Sequence, residues 1–201
     1  MELKPELLRG ICASGFQRPF PIQQYIIRTL INGRDVIAHS RAGSGKTVAL
    51  SIALMQRLNP AVKGPQIVIL AHTRELAHRT HALIATLGVH MGVETLLLVG
   101  GTNIRADITR LTEGVPVQLI VSTPGRTFEM LRRGALRTDD LKIVCLDEAQ
   151  EFVVGELQDV ILELFELLPR GTQVAALSPT RPADVRALSD KLMRDPLVFH
   201  A

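Results

Sequence analysis

Aromatic residues are scarce in this sequence. Phe, Tyr and Trp make up 3% of its 201 residues, and Trp is absent. Because 46% of the residues are nevertheless hydrophobic, the core must be built from Leu, Ile, Val and Ala. Such a composition suits helices packed on a parallel sheet, and the length fits a single domain.

Cysteine is also rare, since the chain has only Cys12 and Cys145, far apart in sequence. This spacing excludes a disulfide framework or a cysteine metal site and favours a reducing compartment. The apolar run around Cys145 predicts a buried thiol. No apolar run approaches the roughly 18 residues of a membrane span, and the N-terminus is too polar for a secretory signal. We therefore expect an intracellular protein, cytoplasmic or nuclear, with no membrane partner.

Long runs of one charge are lacking too. The formal net charge is +3, which allows an anionic partner but fits an ordinary solvated surface equally well. Charge alone therefore does not choose between a nucleic-acid-binding protein and any other globular domain.

Short apolar runs alternate with amphipathic stretches along the chain. The runs predict buried strands at Asp35–Ala38, Gln66–Leu70, Glu94–Val99, Val117–Val121, Ile143–Leu146 and Gln173–Leu177. Helical spacing predicts helices at Lys4–Cys12, Ile22–Ile31, Thr47–Leu58, Thr73–Leu87, Pro124–Arg133, Glu156–Leu168 and Pro182–Met193. Alternation of this kind predicts an α/β domain, a parallel sheet with helices on both faces. Ligands of such sheets bind beyond the carboxyl ends of the strands.

A glycine-rich segment follows the first predicted strand and opens a helix. Its core, Gly43-Ser-Gly-Lys-Thr47, predicts a phosphate-binding P-loop, in which backbone N–H groups and the helix N-terminus face phosphate oxygens. Lys46 is expected to reach the β- and γ-phosphates and Thr47 to bind Mg²⁺. The full pattern has glycine where this chain has Ser40. The alternative, a chance glycine-rich turn, explains neither the strand before it nor the helix after it.

Two carboxylates, Asp147 and Glu148, directly follow the strand predicted at Ile143–Leu146. Alone, this pair could simply cap the next helix. Beside a phosphate loop it predicts a catalytic site, in which Asp147 holds Mg²⁺ and Glu148 orients the attacking water. Lys46, Asp147 and Glu148 are the expected catalytic residues, and Thr47 and Asp147 the expected metal ligands.

These motifs and their neighbours resemble those of the DEAD-box ATP-dependent RNA helicases, over essentially the whole chain. The translation-initiation factor 4A branch is the most similar, through Leu7-Leu-Arg-Gly10 and Met193-Arg-Asp-Pro196. The resemblance implies a RecA-like fold, with residues 1–32 as a helical region carrying the family's Q motif, and ATP and Mg²⁺ as cofactors. The implied nucleotide-binding residues are Phe16, Arg18, Pro19 and Gln23 of the Q motif, and Ser40, Arg41, Ala42, Gly43, Ser44, Gly45, Lys46 and Thr47 of the loop.

Glutamine at position 23 has a physical reason, because a carboxamide can pair with the N6 and N7 edge of adenine and so select ATP over GTP. Alone, Gln23 could equally be a surface residue of a helix.

Three further segments resemble the family's RNA-binding motifs Ia, double glycine and Ib. Their implied RNA-binding residues are Thr73, Arg74, Glu75, Gly100, Gly101, Thr123, Pro124, Gly125 and Arg126. Hydroxyls, backbone N–H groups and arginine suit the phosphates of a single strand. Without the family context, Thr123–Arg126 reads as a helix start, and Arg74 and Glu75 as a structural ion pair.

The sequence departs from the family pattern at three motif positions. His72 stands where proline is usual, Gln150 where an aspartate is usual, and Pro179 where alanine is usual. Motifs II and III imply interdomain coupling through Gln150, Ser178 and Thr180. Because glutamine lowers the local negative charge and proline removes a backbone N–H, we expect coupling to weaken while nucleotide binding survives.

We expect residues 1–201 to form the first of two RecA-like domains, with a second domain supplying arginines that complete the site and with protein regulators as further partners. The family's upstream aromatic, which helps hold adenine, would precede Met1. The chain alone should bind ATP weakly and turn it over little. One alternative is a catalytically silent RNA- or protein-binding module that kept the fold. A small-molecule kinase would need a lid and an acceptor pocket, and no segment offers either.

Overall fold

The computed structural model describes residues 2–153, 155–179 and 182–200. Its strands are β1 Val36–His39, β2 Ile67–Ala71, β3 Thr95–Leu98, β4 Leu119–Ser122, β5 Ile143–Asp147, β6 Gln173–Ser178 and β7 Leu197–His200. Its helices are α1 Pro5–Ala13, α2 Pro21–Ile31, α3 Lys46–Arg57, α4 Arg74–Gly88, α5 Ile104–Thr112, α6 Pro124–Arg132, α7 Gly155–Glu166 and α8 Pro182–Leu192, with a short 3₁₀ helix at Ala149–Phe152.

The seven strands form one parallel sheet in the order β3-β4-β2-β5-β6-β1-β7. Successive residues of a strand face opposite sides of the sheet. Ile67 and Ile69 accordingly pack with α1 to α4, whereas Val68 and Leu70 pack with α6 to α8. The predicted α/β fold with helices on both faces is confirmed, and Cys145 is fully buried in the core, as predicted.

One helix and one strand were not predicted from the sequence, nor was the short 3₁₀ helix. Helix α5 has Asn103 as its N-cap and no fully buried residue, but Ile104, Ile108 and Leu111 pack against the core at helical spacing, so the sequence did carry a signal for it. Strand β7 lies at the edge of the sheet beside β1 and is largely exposed. It is attached to α2 by a contact between Tyr25 and Phe199, whose ring centroids are 4.3 Å apart.

Parallel connections bring the carboxyl ends of β1, β2, β4 and β5 to one edge of the sheet. The segments singled out in the sequence follow these strand ends or those of β3 and β6, except for the Q motif, which precedes β1 and leads into α2. In the described part of the chain, no helix is long and apolar enough to cross a bilayer.

Candidate nucleotide site

The phosphate loop joins β1 to α3, and two of its glycines have left-handed backbone conformations. Gly43 and Gly45 both have φ near 79°, a region that costs L-residues with a side chain roughly 1–2 kcal/mol. Gly45 is required for a second reason, because a Cβ there would lie 2.3 Å from Nε2 of Gln23. The loop can therefore bend only because these positions lack side chains.

Lys46 is the first residue of α3, and its ammonium group lies within the loop. Its Nζ donates to the carbonyl oxygen of Ser40, to that of Arg41 at 3.0 Å and to Oγ of Ser44 at 3.5 Å. Burial lowers the pKa of Lys46, and the nearby Asp147 and Glu148 partly oppose this shift. The loop thus concentrates one cation and the N-terminus of α3 at the same place.

Asp147 ends β5 and faces the loop. Its carboxylate accepts hydrogen bonds from the hydroxyl of Thr47, at 3.2 and 3.4 Å, and from that of Thr80 at 3.4 Å. The residue is only 2% exposed. Burial raises the pKa of Asp147, while the hydrogen bond from Thr47 acts in the opposite direction. A buried carboxylate held by hydroxyls is costly to ionise without a cation beside it.

Carboxylate and hydroxyl oxygens are ligands that Mg²⁺ prefers, typically one or two from the protein alongside phosphate oxygens. Thr47 and Asp147 fit this donor set. Within the described residues, no cluster of three or more His, Cys, Asp or Glu side chains could hold a metal by itself.

Glu148 follows Asp147 and is the N-cap of the 3₁₀ helix, with φ 60° and ψ 55°. This left-handed conformation is uncommon for a residue with a long side chain. Its side chain is 45% exposed and directed to the cleft, where Oε2 lies 3.6 Å from Nδ1 of His72.

The cleft beside the loop has a volume of about 510 Å³. Sequence reasoning missed the contribution of α4, which lines one wall with Leu76, Arg79, Thr80 and Leu83. These positions lie three or four residues apart and so share one helical face. That periodicity was the available signal, although it could not show which neighbour the face meets.

Gln23 is 8% exposed and connects α2 to the phosphate loop. Its Oε1 accepts from the backbone N–H of Phe20 at 2.8 Å, and its Nε2 donates to the carbonyl of Gly45 at 3.2 Å. Gln23 therefore touches the loop directly, whereas Phe16, Arg18 and Pro19, the other expected nucleotide-binding residues of the Q motif, are exposed.

The expected RNA-binding segments meet beyond β2, β3 and β4. Thr73 caps α4 through its hydroxyl, which accepts from the N–H of Leu76 at 3.2 Å. The hydroxyl of Thr123 accepts from the N–H of Gly100 at 3.2 Å. Arg74 covers Gly101, where an added Cβ would lie 2.6 Å from Nη1 of the arginine. Three segments distant in sequence thus form one surface.

Arg74 and Glu75 are both exposed. No ion pair joins them in the part of the chain that the structure describes, so the structural ion pair considered from the sequence is not observed there.

Arg126, an expected RNA-binding residue, is buried. It is 4% exposed, and its guanidinium contacts Asp107, Glu129 at 3.7 Å, and the hydroxyl and carbonyl of Thr102 at 3.0 Å each. A direct phosphate contact from Arg126 stays a prediction, and the geometry favours an indirect role in ordering the loop after β3.

Motifs II and III are in contact, because the hydroxyl of Ser178 donates to Oε1 of Gln150 at 3.1 Å. Nε2 of Gln150 donates to Glu151 at 3.2 Å. Pro179 lines the cleft. Thr180, expected to share the coupling role, lies outside the described residues.

Comparison with known proteins indicates a single protein family. Residues 20–188 match the DEAD/DEAH box helicase family. The chain is 49% and 47% identical, over 197 residues, to the ATP-dependent RNA helicases eIF4A of Neosartorya fischeri and Mycosarcoma maydis. These matches cover 98% of this chain but 49% and 47% of the two relatives. The chain therefore spans about half the length of the curated relatives it matches.

Solved structures that are similar to this chain indicate the same family. Saccharomyces cerevisiae Dbp5 bound to RNA and ADP BeF3 has a TM-score of 0.88 and 30% identity, covering 99% of this chain and 50% of Dbp5. A DEAD box protein from Methanococcus jannaschii has a TM-score of 0.90 and 28% identity, covering 98% of this chain and 54% of that protein. The phosphate loop facing Asp147, the RecA-like sheet and these matches together show that the chain belongs to the DEAD/DEAH box helicase family.

Proposed function

We propose that this chain binds ATP and Mg²⁺, and contacts single-stranded RNA, as the N-terminal nucleotide-binding domain of an ATP-dependent RNA helicase. The observation that carries the proposal is the placement of Lys46 and Thr47 opposite Asp147 across one cleft, with Thr47 and Asp147 in hydrogen-bond contact. A loop cation, a helix N-terminus and a magnesium-holding acid are the parts that phosphoryl transfer uses.

Each residue of the loop has a role in nucleotide binding. Backbone N–H groups from Ala42 to Gly45 would bind phosphate oxygens. Lys46 would exchange its contacts with the carbonyls of Ser40 and Arg41 for the β- and γ-phosphates. Mg²⁺ neutralises the triphosphate when bound, and Thr47 and Asp147 are the residues that would hold it. Glu148 would orient and polarise the attacking water.

Adenine selection is assigned to Gln23. The carboxamide has one hydrogen and one lone pair besides those used for Gly45 and Phe20, so it can pair with adenine while it stays attached to the loop. Phe16, Arg18 and Pro19 would border the base.

Binding of RNA is assigned to the surface formed by residues 73–75, 100–101 and 123–126. Its hydroxyls, backbone N–H groups and exposed Arg74 fit a sugar–phosphate backbone better than base edges. Dbp5 in complex with RNA and ADP BeF3 supports this assignment by its similarity to this chain.

Residues 1–201 are proposed to be one RecA-like domain, with the Q-motif region at residues 1–32. Hydrolysis and unwinding would require a second domain, because added arginines are worth about 10³–10⁵ in rate in related phosphoryl transfer. Gln150, Ser178 and Thr180 would couple the two domains. Further protein partners are also proposed, since a Dbp5 structure contains Nup159 and Gle1.

A titration of ATP and GTP analogues with Mg²⁺ tests the nucleotide site. We expect ATP analogues to bind more tightly than GTP analogues, Lys46→Ala to weaken both, and Gln23→Ala to remove the difference between them. Equal affinity of the unaltered chain for the two nucleotides would refute the role of Gln23. Failure of either nucleotide to bind would refute the nucleotide site.

A second candidate function is a catalytically silent RNA- or protein-binding module. The departures at His72, Gln150 and Pro179 favour it, whereas Lys46, Thr47, Asp147 and Glu148 favour the enzyme. RNA-stimulated ATPase of the full-length natural protein separates the two: turnover supports the helicase, and RNA binding without turnover supports the module.

A further inference from the structure

The register of β2 against β5 places His72 beside Glu148. Ala71 and Asp147 are opposite one another in the sheet, and each is the last residue of its strand. The next residues, His72 and Glu148, therefore leave the sheet as neighbours, and Nδ1 of the imidazole lies 3.6 Å from Oε2 of the carboxylate.

Nδ1 of His72 has no other polar partner among the described residues. Nδ1 of His72 is buried and makes no hydrogen bond in the described part of the chain. The ring packs edge-on against Phe152, with centroids 6.4 Å apart and planes at 79°. A buried polar atom without a partner destabilises the folded protein, so the nitrogen gains by closing the short gap to Glu148.

The carboxylate of Glu148 is the less constrained member of the pair. Its side chain is 45% exposed, against 21% for His72, and its carboxylate makes no hydrogen bond among the described residues. The side chain of Glu148 lines the cleft, where no hydrogen bond from a described residue limits its freedom to rotate. A fixed donor at one oxygen would remove that freedom and leave the other oxygen for water.

We propose that His72 is a positioning residue for Glu148. The Nδ1–H group of His72 donates to one carboxylate oxygen of Glu148, and the other carboxylate oxygen orients the attacking water. The inference rests on the proposed hydrolytic function. A proline at this position, which the family pattern has, offers no side-chain donor. This chain therefore fixes its glutamate through a contact of its own.

The test uses substitutions that differ in where they place a donor. In His72→Asn the amide nitrogen falls near the position of Nδ1, in His72→Gln it falls farther out, and His72→Leu has no donor. With the full-length protein and saturating RNA, we expect His72→Leu and His72→Gln to lower kcat about tenfold, a usual effect of losing such an orienting partner. His72→Asn should restore most of kcat, and KM for ATP should stay constant throughout.

A second background separates positioning from packing. In Glu148→Asp the shorter side chain no longer reaches the imidazole, so His72→Leu should lower kcat no further there. Equal losses in both backgrounds, or equal kcat for His72→Asn and His72→Leu, would overturn the proposal.

Measurements independent of turnover complete the design. The ¹⁵N shift of Nδ1 of His72 should change in Glu148→Gln, and an unchanged shift would overturn the proposal. Titration with Mg-ADP should give similar affinity for the unaltered protein and His72→Leu. If the unaltered protein does not bind Mg-ADP, the proposed function is refuted. If it binds Mg-ADP but His72→Leu leaves kcat unchanged, only the positioning role of His72 is refuted.

Discussion

Gln23 and Gly45 are joined across the gap between α2 and the phosphate loop, with Nε2 of the glutamine 3.2 Å from the glycine carbonyl. The same carboxamide accepts from the N–H of Phe20, so one buried side chain connects the start of α2 to the last residue before α3. The loop conformation and the Q-motif region are therefore coupled through a single group.

Gly45→Ala should damage the loop more than Gly43→Ala. Both glycines have φ near 79°, so both changes incur about 1–2 kcal/mol of backbone strain. Only at Gly45 would the new Cβ collide with Gln23, since nothing lies within 4 Å of a Cβ at Gly43. We expect urea unfolding to give the larger loss of stability for Gly45→Ala, together with weaker ATP binding. Equal losses for the two variants would show that the contact with Gln23 is unimportant.

Arg126→Met should mainly lower the stability of the protein, whereas Arg74→Ala should mainly weaken RNA binding. Arg126 is buried with Asp107 and Thr102, and removal of one member of a buried pair costs about 3–5 kcal/mol. Because the Asp107 side chain is 15% exposed, we expect the lower end of that range. Arg74 is exposed, so its loss should change stability by less than about 0.5 kcal/mol while weakening RNA binding. Thermal unfolding and RNA titration of both variants check this, and a stable Arg126→Met protein would contradict it.

Asp147→Asn should stabilise the nucleotide-free protein at neutral pH. Burial raises the pKa of Asp147 above its ordinary value of 3.8, so between these two pKa values the folded state binds more protons than the unfolded state. Stability conferred by this group is therefore present at low pH and lost as pH rises through the raised pKa. Asparagine cannot ionise but still accepts from Thr47 and Thr80.

The measurement is the difference in Tm between the unaltered protein and Asp147→Asn from pH 4 to pH 8, where each kcal/mol moves Tm by about 2–4 °C at this size. The difference should grow in favour of the variant as pH rises. Thr172→Ala, distant from the cleft, serves as a control with no pH-dependent difference. A difference that shrinks with pH would contradict the assigned direction.

Gln150→Asp combined with Pro179→Ala should raise RNA-stimulated ATPase in the full-length protein. Aspartate would give Ser178 a charged acceptor in place of the amide oxygen, now 3.1 Å from the serine hydroxyl, and alanine would return a backbone N–H donor. If the two substitutions stabilise the state in which the nucleotide site is coupled to the second domain by about 1 kcal/mol, the ATPase rate should rise about fivefold. Gln150→Asn, which shortens the side chain without adding charge, is the matched control. No increase would show that these departures do not weaken coupling.

Much of the fold was determined by local sequence. Branched aliphatic runs between turn residues predict strands, and each predicted run overlaps one of β1 to β6. Helix α5 was missed although Ile104, Ile108 and Leu111 have helical spacing and pack against the core, and strand β7 was missed because it is largely exposed at the edge of the sheet. The phosphate loop and the acids after β5 were also readable, since their chemistry depends on neighbours within a few residues.

The sequence by itself predicted many of the groups of the candidate site and the strand ends at which they stand, but not the contribution of α4. Only the tertiary structure decided what those groups face: Gln23 toward Gly45, Arg126 inward to Asp107, Thr80 toward Asp147 and His72 beside Glu148. The reason is that a side chain's partner depends on the register and packing of elements far apart in sequence, which no local pattern specifies.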